Sequence, residues 1–423
     1  MRIDNYYLFL LDGIAYMVAL AFLEPATVIP TYVNILTGSA LLVGVASSLR
    51  RLGWLIPQLL TAVYAERFPR RKPLVVASML VQRVAWLLMG MLAVVVEAPV
   101  AVWLFLPLYA IGCLAEGVSS APWSDMLGRS VPAERRGRLL GLMTAAGGML
   151  AFGAGLLVRK VLLVSSGSPA GFGLLFLVGT ALSLPSVWAV WLIREPLAPN
   201  CRPQEPLGTT LLRVPQLLRR PEVRNILWVR ALASTIHLSL PFYAVYATRG
   251  LGFGPQEAGL FVSVQMAGST LGSLFWGWLA GRRESRVLVT AVCATAAALP
   301  FTAVLFGQLW TWTAVDAFRW GYLAVFFLLG MVMAGMWMGF LHYVLDIAPA
   351  DRQPTYVGLL NTLVAPLTLL SVVGGWFLRY GYALLFLVNA VFLLWAVARC
   401  RHLKAGRRPR PVAEPAGDTA QDG

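Results

Sequence analysis

Twelve apolar runs, each long enough to cross a lipid bilayer as a helix, narrow the folds open to this chain more than any other feature. They fall near residues 7–30, 40–64, 73–96, 100–122, 139–162, 171–193, 224–248, 257–280, 287–308, 318–345, 355–378 and 381–399. A spanning helix needs about 20 predominantly apolar residues, and charge, Gly or Pro punctuates every run. The eighth and eleventh are the least clean because of their glycines. Composition agrees: 58% of the 423 residues are hydrophobic and 13% charged, too little charge to coat a soluble globule. A soluble enzyme, a disordered chain and a disulfide scaffold are excluded. The chain reads as an all-α membrane protein with twelve transmembrane helices.

The net charge of +15 has a topological explanation. With the N-terminus inside, 25 of the 34 Lys and Arg residues fall in loops and tails on the inner side, 5 fall outside and 4 lie within spans. Positive charge retards translocation, so a multi-pass protein of the cell membrane with both termini cytoplasmic is expected. These cations sit in short loops between spans, which removes the case for a nucleic-acid partner. Cys113, Cys201, Cys293 and Cys400 show no CxxC or metal-like spacing and read as small, reduced residues. The first apolar run contains Asp12 and Glu24 and lacks a clear cleavage site, so it reads as a retained span.

A proline-rich loop divides the spans six and six. The expected organisation is an N-terminal six-helix bundle (1–194), a linker (195–223), a C-terminal six-helix bundle (224–400) and a disordered tail (401–423). The halves also echo each other. Pro132-Ala133-Glu134-Arg135 followed by Gly141-Leu142 matches Pro349-Ala350-Asp351-Arg352 followed by Gly358-Leu359 at an offset of 217. Gly44, Ser48, Gly53, Ala65 and Arg67 match Gly259, Ser263, Gly268, Ala280 and Arg282 at 215. Two bundles related by an axis along the membrane normal are predicted, with a site near the midplane between them.

The stretch Ala62-Val63-Tyr64-Ala65-Glu66-Arg67-Phe68-Pro69-Arg70-Arg71 resembles the loop motif G-x-L-A-D-R-x-G-R-K of the major facilitator superfamily and sits between spans two and three, as it does there. Its second-half echo is Gly277-Trp278-Leu279-Ala280-Gly281-Arg282-Arg283-Glu284-Ser285-Arg286. The departures are Ala62 and Pro69 for glycines, Glu66 for Asp, and no acid at Gly281. Cys113 stands where the family's antiporters have an arginine, and span five lacks Gly-Pro, so drug export driven by protons has no motif support. The resemblance implies two pseudo-symmetric six-helix bundles whose spans one, four, seven and ten line a central cavity. It also implies a gating cluster of Glu66, Arg67, Arg70 and Asp125, with Asp125 as the partner of Arg70, and Arg282 and Arg286 in the second copy.

Ions inside a membrane are costly unless paired or wetted. Asp12 and Glu24 (span one), Arg51 (two), Arg83 (three), Glu116 (four), Arg230 and His237 (seven) and His342 (ten) are therefore the candidates for a substrate or proton cavity. Helical spacing places Ser47, Arg51, Trp54 and Gln58 on one stripe and favours Arg51 over Arg50 as the inward cation. Arg230, Ser234, His237 and Pro241 form another stripe. The bland alternative pairs Arg51, Arg83 and Arg230 statically with Asp12, Glu24 and Glu116, and leaves both histidines as core residues. Gly137-xxx-Gly141, Gly268-xxx-Gly272 and Gly335-xxx-Gly339 suit close helix approach.

Four arginines against three acids lean towards an anionic or amphipathic solute. With no G-x-x-x-x-G-K-[ST], H-E-x-x-H or G-x-S-x-G, neither a nucleotide-driven pump nor an enzyme is supported. The expected function is secondary active transport of a small solute by alternating access, coupled to protons, by a monomer without cofactors. A non-transporting sensor or scaffold on the same fold, or an exporter of apolar compounds, are the alternatives.

Overall fold

The computed structural model describes residues 4–65, 69–96, 99–197, 219–348, 356, 360–361 and 363–404, and every regular element among them is helical. The expected linker and tail lie largely outside these residues, as does the second copy of the Pro-Ala-acid-Arg repeat. Nine described helices are long and apolar enough to cross a membrane. They are span two (Ala40–Ala65), three (Lys72–Val95), four (Val102–Ser130), five (Ala133–Val164), six (Pro169–Leu192), eight (Ala258–Arg282), nine (Ser285–Thr313), ten (Leu323–Ile347) and twelve (Tyr382–Cys400).

The other three spans are built from shorter pieces. Span one is Asn5–Ala21 followed by Val28–Thr37, and span seven is Pro221–Ala233, the 3-10 turn Ser234–Leu238 and Phe242–Arg249. Span eleven shows a 3-10 turn, Ala365–Leu369, leading into Leu370–Phe377. Span one thus reaches Thr37, beyond its expected end at residue 30. Proline explains the first two breaks. Pro25 and Pro241 lack the N–H that an unbroken helix would use, and they stand 216 positions apart. The freed backbone is satisfied locally, as hydrocarbon requires. The N–H groups of Phe22 and Leu23 turn back to Ala19 and Leu20, and those of Thr27 and Ile29 reach the Glu24 carbonyl. In span seven the Leu240 N–H donates to Ile236 and the Phe242 N–H to Ser239.

Helix packing repeats after six spans. Span two packs on four as eight packs on ten; three packs on four and six as nine packs on ten and twelve; one packs on five and six as seven packs on eleven and twelve. The halves meet where span five lies on eight and span eleven on two. Here the sequence repeat acquires a physical meaning. Ser48 Oγ donates to the Thr368 carbonyl (3.0 Å) and its echo Ser263 to the Phe152 carbonyl (2.8 Å), both across the interface. Gly44 and Gly259 permit the approach: a Cβ there would lie 2.2 Å from the Ser371 carbonyl oxygen and 2.1 Å from the Arg159 nitrogen.

These contacts lie towards the face away from the termini, where Arg159 also holds Glu257 through two bonds (2.9 and 3.0 Å). At the terminal ends of spans five and eight, a Cβ on Gly137, Gly141, Gly277 or Gly281 would meet nothing within 4 Å. The bundles are closed on one face and diverge towards the other. Close packing at Gly137 and Gly141 is therefore corrected: they lie where the halves separate. Gly268 and Gly272 do bring span eight against the backbone of Phe327 and Met331.

Candidate functional site

The first half buries a chain of polar side chains drawn from five spans. Asp12 accepts from Trp123 Nε1 (2.7 Å) and Ser186 Oγ (2.6 Å). Ser186 Oγ in turn accepts from Arg83 Nη2 (3.2 Å), and Arg83 Nη1 donates to Gln82 Oε1. Gln82 Nε2 donates to Glu116 Oε2 (3.2 Å), whose other oxygen takes Arg50 Nη2 (2.8 Å). The Arg83 guanidinium also lies 5.5 and 5.3 Å from the ring centres of Tyr16 and Trp86, a favourable placement where water is scarce. A small cleft beside the break in span one opens onto Leu23, Pro25, Arg50, Gln82, Trp86 and Glu116.

The pairing differs from the static alternative. Arg50, not Arg51, is the cation that holds Glu116, because residues 50 and 51 point to different neighbours: one into its own bundle, the other towards the second half. The static pairs Arg51, Arg83 and Arg230 with Asp12, Glu24 and Glu116 do not form either. Asp12 and Arg83 are bridged by Ser186. Glu24, buried in the break of span one, accepts from Gln265 Nε2 of span eight (2.9 Å) and so ties the two halves together.

Between the halves sits a group of cations. Among the described residues Arg51 reaches Met333 Sδ of span ten, at 3.9 Å. Arg230 donates to Asn361 Oδ1 (3.1 Å) and lies 4.7 Å from the Phe340 ring centre. Among the described residues neither guanidinium has a carboxylate within 4 Å. His237 lies near both guanidinium groups. His237 lies within the 3-10 turn of span seven, so the stripe expected from a regular helix is replaced by a turn whose His237 carbonyl accepts from Ser371 Oγ (2.7 Å). Trp54 and Trp337 face each other nearby, from spans two and ten, with centroids 6.3 Å apart. His342, expected in the cavity, is exposed.

At the terminal face the cluster differs from the expected latch. Glu66 and Arg67 lie outside the described residues. Arg70 is exposed, and Asp125 is held by Arg71 Nε and Arg129 Nη2, each at 3.0 Å. The correction has a geometric cause: Arg71 is the N-cap of span three and so faces spans four and six, whereas Arg70 precedes the helix. The centre of this cluster is Glu195, whose side chain is 1% exposed. It accepts from the backbone N–H groups of Arg71 (2.7 Å) and Lys72 (2.8 Å) and from Arg129 (2.6 Å). A carboxylate at the positive end of a helix is well placed. Arg282 lies on Trp278, 4.7 Å from its ring centre, and Arg286 is half-buried.

The candidates were ions within spans, which left out the uncharged Gln82, Ser186, Gln265 and Asn361, and Glu195, which lies in the stretch read as the linker. Uncharged polar residues inside apolar runs were the available signal for most of them.

Comparison with known proteins closes the identification. A profile of the Major Facilitator Superfamily matches residues 8–367 and 238–421. Among solved structures, a nucleoside transporter, NupG, superposes with a TM-score of 0.72 at 12% identity, over 95% of this chain and 100% of that one. A POT family transporter in complex with 5-aminolevulinic acid gives 0.72 at 11% identity, over 94% and 96%. A D-xylose-proton symporter gives 0.69 at 14%, over 93% and 97%. No curated protein sequence matches the chain. Two six-span bundles, a packing pattern that repeats after six spans and a charged centre between the halves agree with the profile: the chain belongs to the Major Facilitator Superfamily and is a multi-pass membrane transporter, not an enzyme.

Proposed function

We propose that this transporter moves a small anionic solute, bearing a carboxylate or phosphate, by alternating access around Arg51, Arg230 and His237. One observation carries the reading: two half-buried guanidinium groups from opposite halves lie near each other with no carboxylate within 4 Å among the described residues. Every buried acid is engaged elsewhere, Asp12 and Glu116 in the first half's network and Glu24 with Gln265. Unpaired cations inside a membrane are expensive, and an anion contacting both would relieve the repulsion and draw the halves together. Solute binding would then favour closure of the open side, which is the differential affinity that alternating access needs.

Energy comes from a cation gradient taken up at a buried acid. The cell membrane is the proposed location and the terminal face the cytoplasmic one, supported by the 25-to-5 partition of Lys and Arg. In this conformation the transporter is then open to the cytoplasm.

The test is binding by the purified protein, read through tryptophan fluorescence, since Trp54 and Trp337 flank the cations. Across dicarboxylates, sugar phosphates, neutral sugars and amines, saturable quenching should be confined to anions and be lost in Arg51→Gln and in Arg230→Gln. Equal quenching by neutral solutes, or anion binding that survives both substitutions, refutes the proposal.

A further inference from the structure

We infer that the break in span one holds a sodium ion, coordinated by Glu24, Thr27, Thr31 and the amide oxygen of Gln265. This rests on the transport reading and names the cation that drives it. Glu24 lies in the turn that leads into Val28–Thr37, and Thr27 at its N-cap, Thr31 and Asn34 are spaced along one face of it. All four are buried, with Thr27 and Thr31 at 0% exposure. Thr27 Oγ1, Thr31 Oγ1, Asn34 Oδ1 and Gln265 Oε1 are all buried without a hydrogen-bond partner.

Most helical hydroxyls of the described residues behave otherwise, Ser130 and Ser285 excepted. Serine and threonine hydroxyls in the other helices habitually donate back to a carbonyl three or four residues earlier, as Thr37 does to Val33 (2.8 Å), Thr180 to Phe176 (2.7 Å) and Thr290 to Arg286 (2.8 Å). Thr27 and Thr31 make no such bond. Gln265 spends its amide nitrogen on Glu24 Oε1 (2.9 Å), which brings its unpartnered oxygen beside the same carboxylate. The unpaired atoms are oxygens, the ligands a hard cation prefers. One carboxylate balances one monovalent charge, whereas a divalent ion would leave net charge within the membrane. Asn34, one turn from the helix end at Gly38, continues the stripe towards the closed face.

The second half shows that the break alone does not call for these oxygens. Its equivalents, 216 positions on, are Leu240, Tyr243 and Ala247 beside Pro241. The same fold element is made there without a carboxylate or a threonine. The ion would join Glu24 of one half to Gln265 of the other, so its binding is linked to how the halves sit.

The test needs no knowledge of the solute. Purified protein is titrated with Na⁺ against K⁺ and choline at constant ionic strength, reading thermal unfolding and ²²Na⁺ binding. Na⁺ alone should raise the unfolding temperature saturably. Thr27→Val and Thr31→Val, which keep shape and remove a lone pair, should each weaken Na⁺ at least about 10-fold, as loss of a supporting ligand does at metal sites. Glu24→Gln should abolish binding, and Thr37→Val, whose hydroxyl is already bonded within the helix, should leave it intact. A response to K⁺ or choline equal to that to Na⁺, or Na⁺ affinity unchanged in both valine variants, overturns the site. Anion quenching measured in choline medium tests the Arg51–Arg230 reading by itself, so the two fail independently.

Discussion

A single methyl group at Gly44 should push the halves apart on their closed face. A Cβ there would lie 2.2 Å from the Ser371 carbonyl oxygen and 2.8 Å from its carbon, where carbon and carbonyl oxygen ordinarily approach to about 3.3–3.6 Å. The obstructing atoms are backbone, so no rotamer change relieves the clash and spans two and eleven must separate by about 1 Å, the shortfall from that approach. Overpacking of this kind costs about 1–3 kcal/mol. The cost falls on the conformation closed away from the termini, because the terminal ends of spans five and eight touch nothing at Gly137 or Gly277. The ratio of closed to open on that face should drop about 5- to 150-fold. Spin labels at the exposed positions Lys160 and Thr313, on opposite halves near this face, would report it as a longer-distance population in Gly44→Ala. Gly259→Ala should behave alike, and Gly277→Ala, with open space around it, should resemble the parent. Distance distributions identical in Gly44→Ala and the parent, or shifted equally in Gly277→Ala, would defeat the reasoning.

The Arg50–Glu116 pair predicts a non-additive cycle. Arg50→Met or Glu116→Leu alone strands a buried charge and should destabilise by about 3–5 kcal/mol, while the double substitution should recover most of it in thermal unfolding; additive losses would show that the pair is not coupled. Glu195→Gln weakens three charge-assisted contacts and should cost about 1.5–3 kcal/mol, against within about 0.5 kcal/mol for Arg70→Ala, so equal effects would argue against Glu195 as the centre of the cluster. At the membrane boundary, the backbone N–H of Glu222 and then Lys404 hold the Glu222 carboxyl below its usual range. A lowered folded value means that this stabilisation is present above the unfolded carboxyl's titration and fades as pH falls through the folded one. Lys404→Ala should therefore raise the Glu222 titration midpoint seen by carbon NMR, and an unmoved midpoint would contradict the pairing.

Much of the fold was readable because hydrocarbon is an unforgiving solvent. Each span had to be apolar for about 20 residues, so nine spans stand as continuous helices where the runs lie. The breaks in spans one and seven were missed although Pro25 and Pro241 announce them at the repeat offset. The site was less legible. Both Arg50 and Arg51 occupy the middle of one helix, and only the packing of spans four and ten shows that the first meets Glu116 and the second does not. Arg70 and Arg71 differ by one position, yet the helix N-terminus turns Arg71, and not Arg70, onto Asp125.

Span number, the two-fold repetition and the sidedness of charge are properties of the chain itself, since they follow from how each segment partitions between water and lipid and need no neighbour. Which buried charges find partners, which hydroxyls are left without one and which face is shut depend on side chains brought together from spans up to hundreds of residues apart. Those contacts exist only once the helices have packed, because helical periodicity orients a residue on its own helix but does not say which helix it will face.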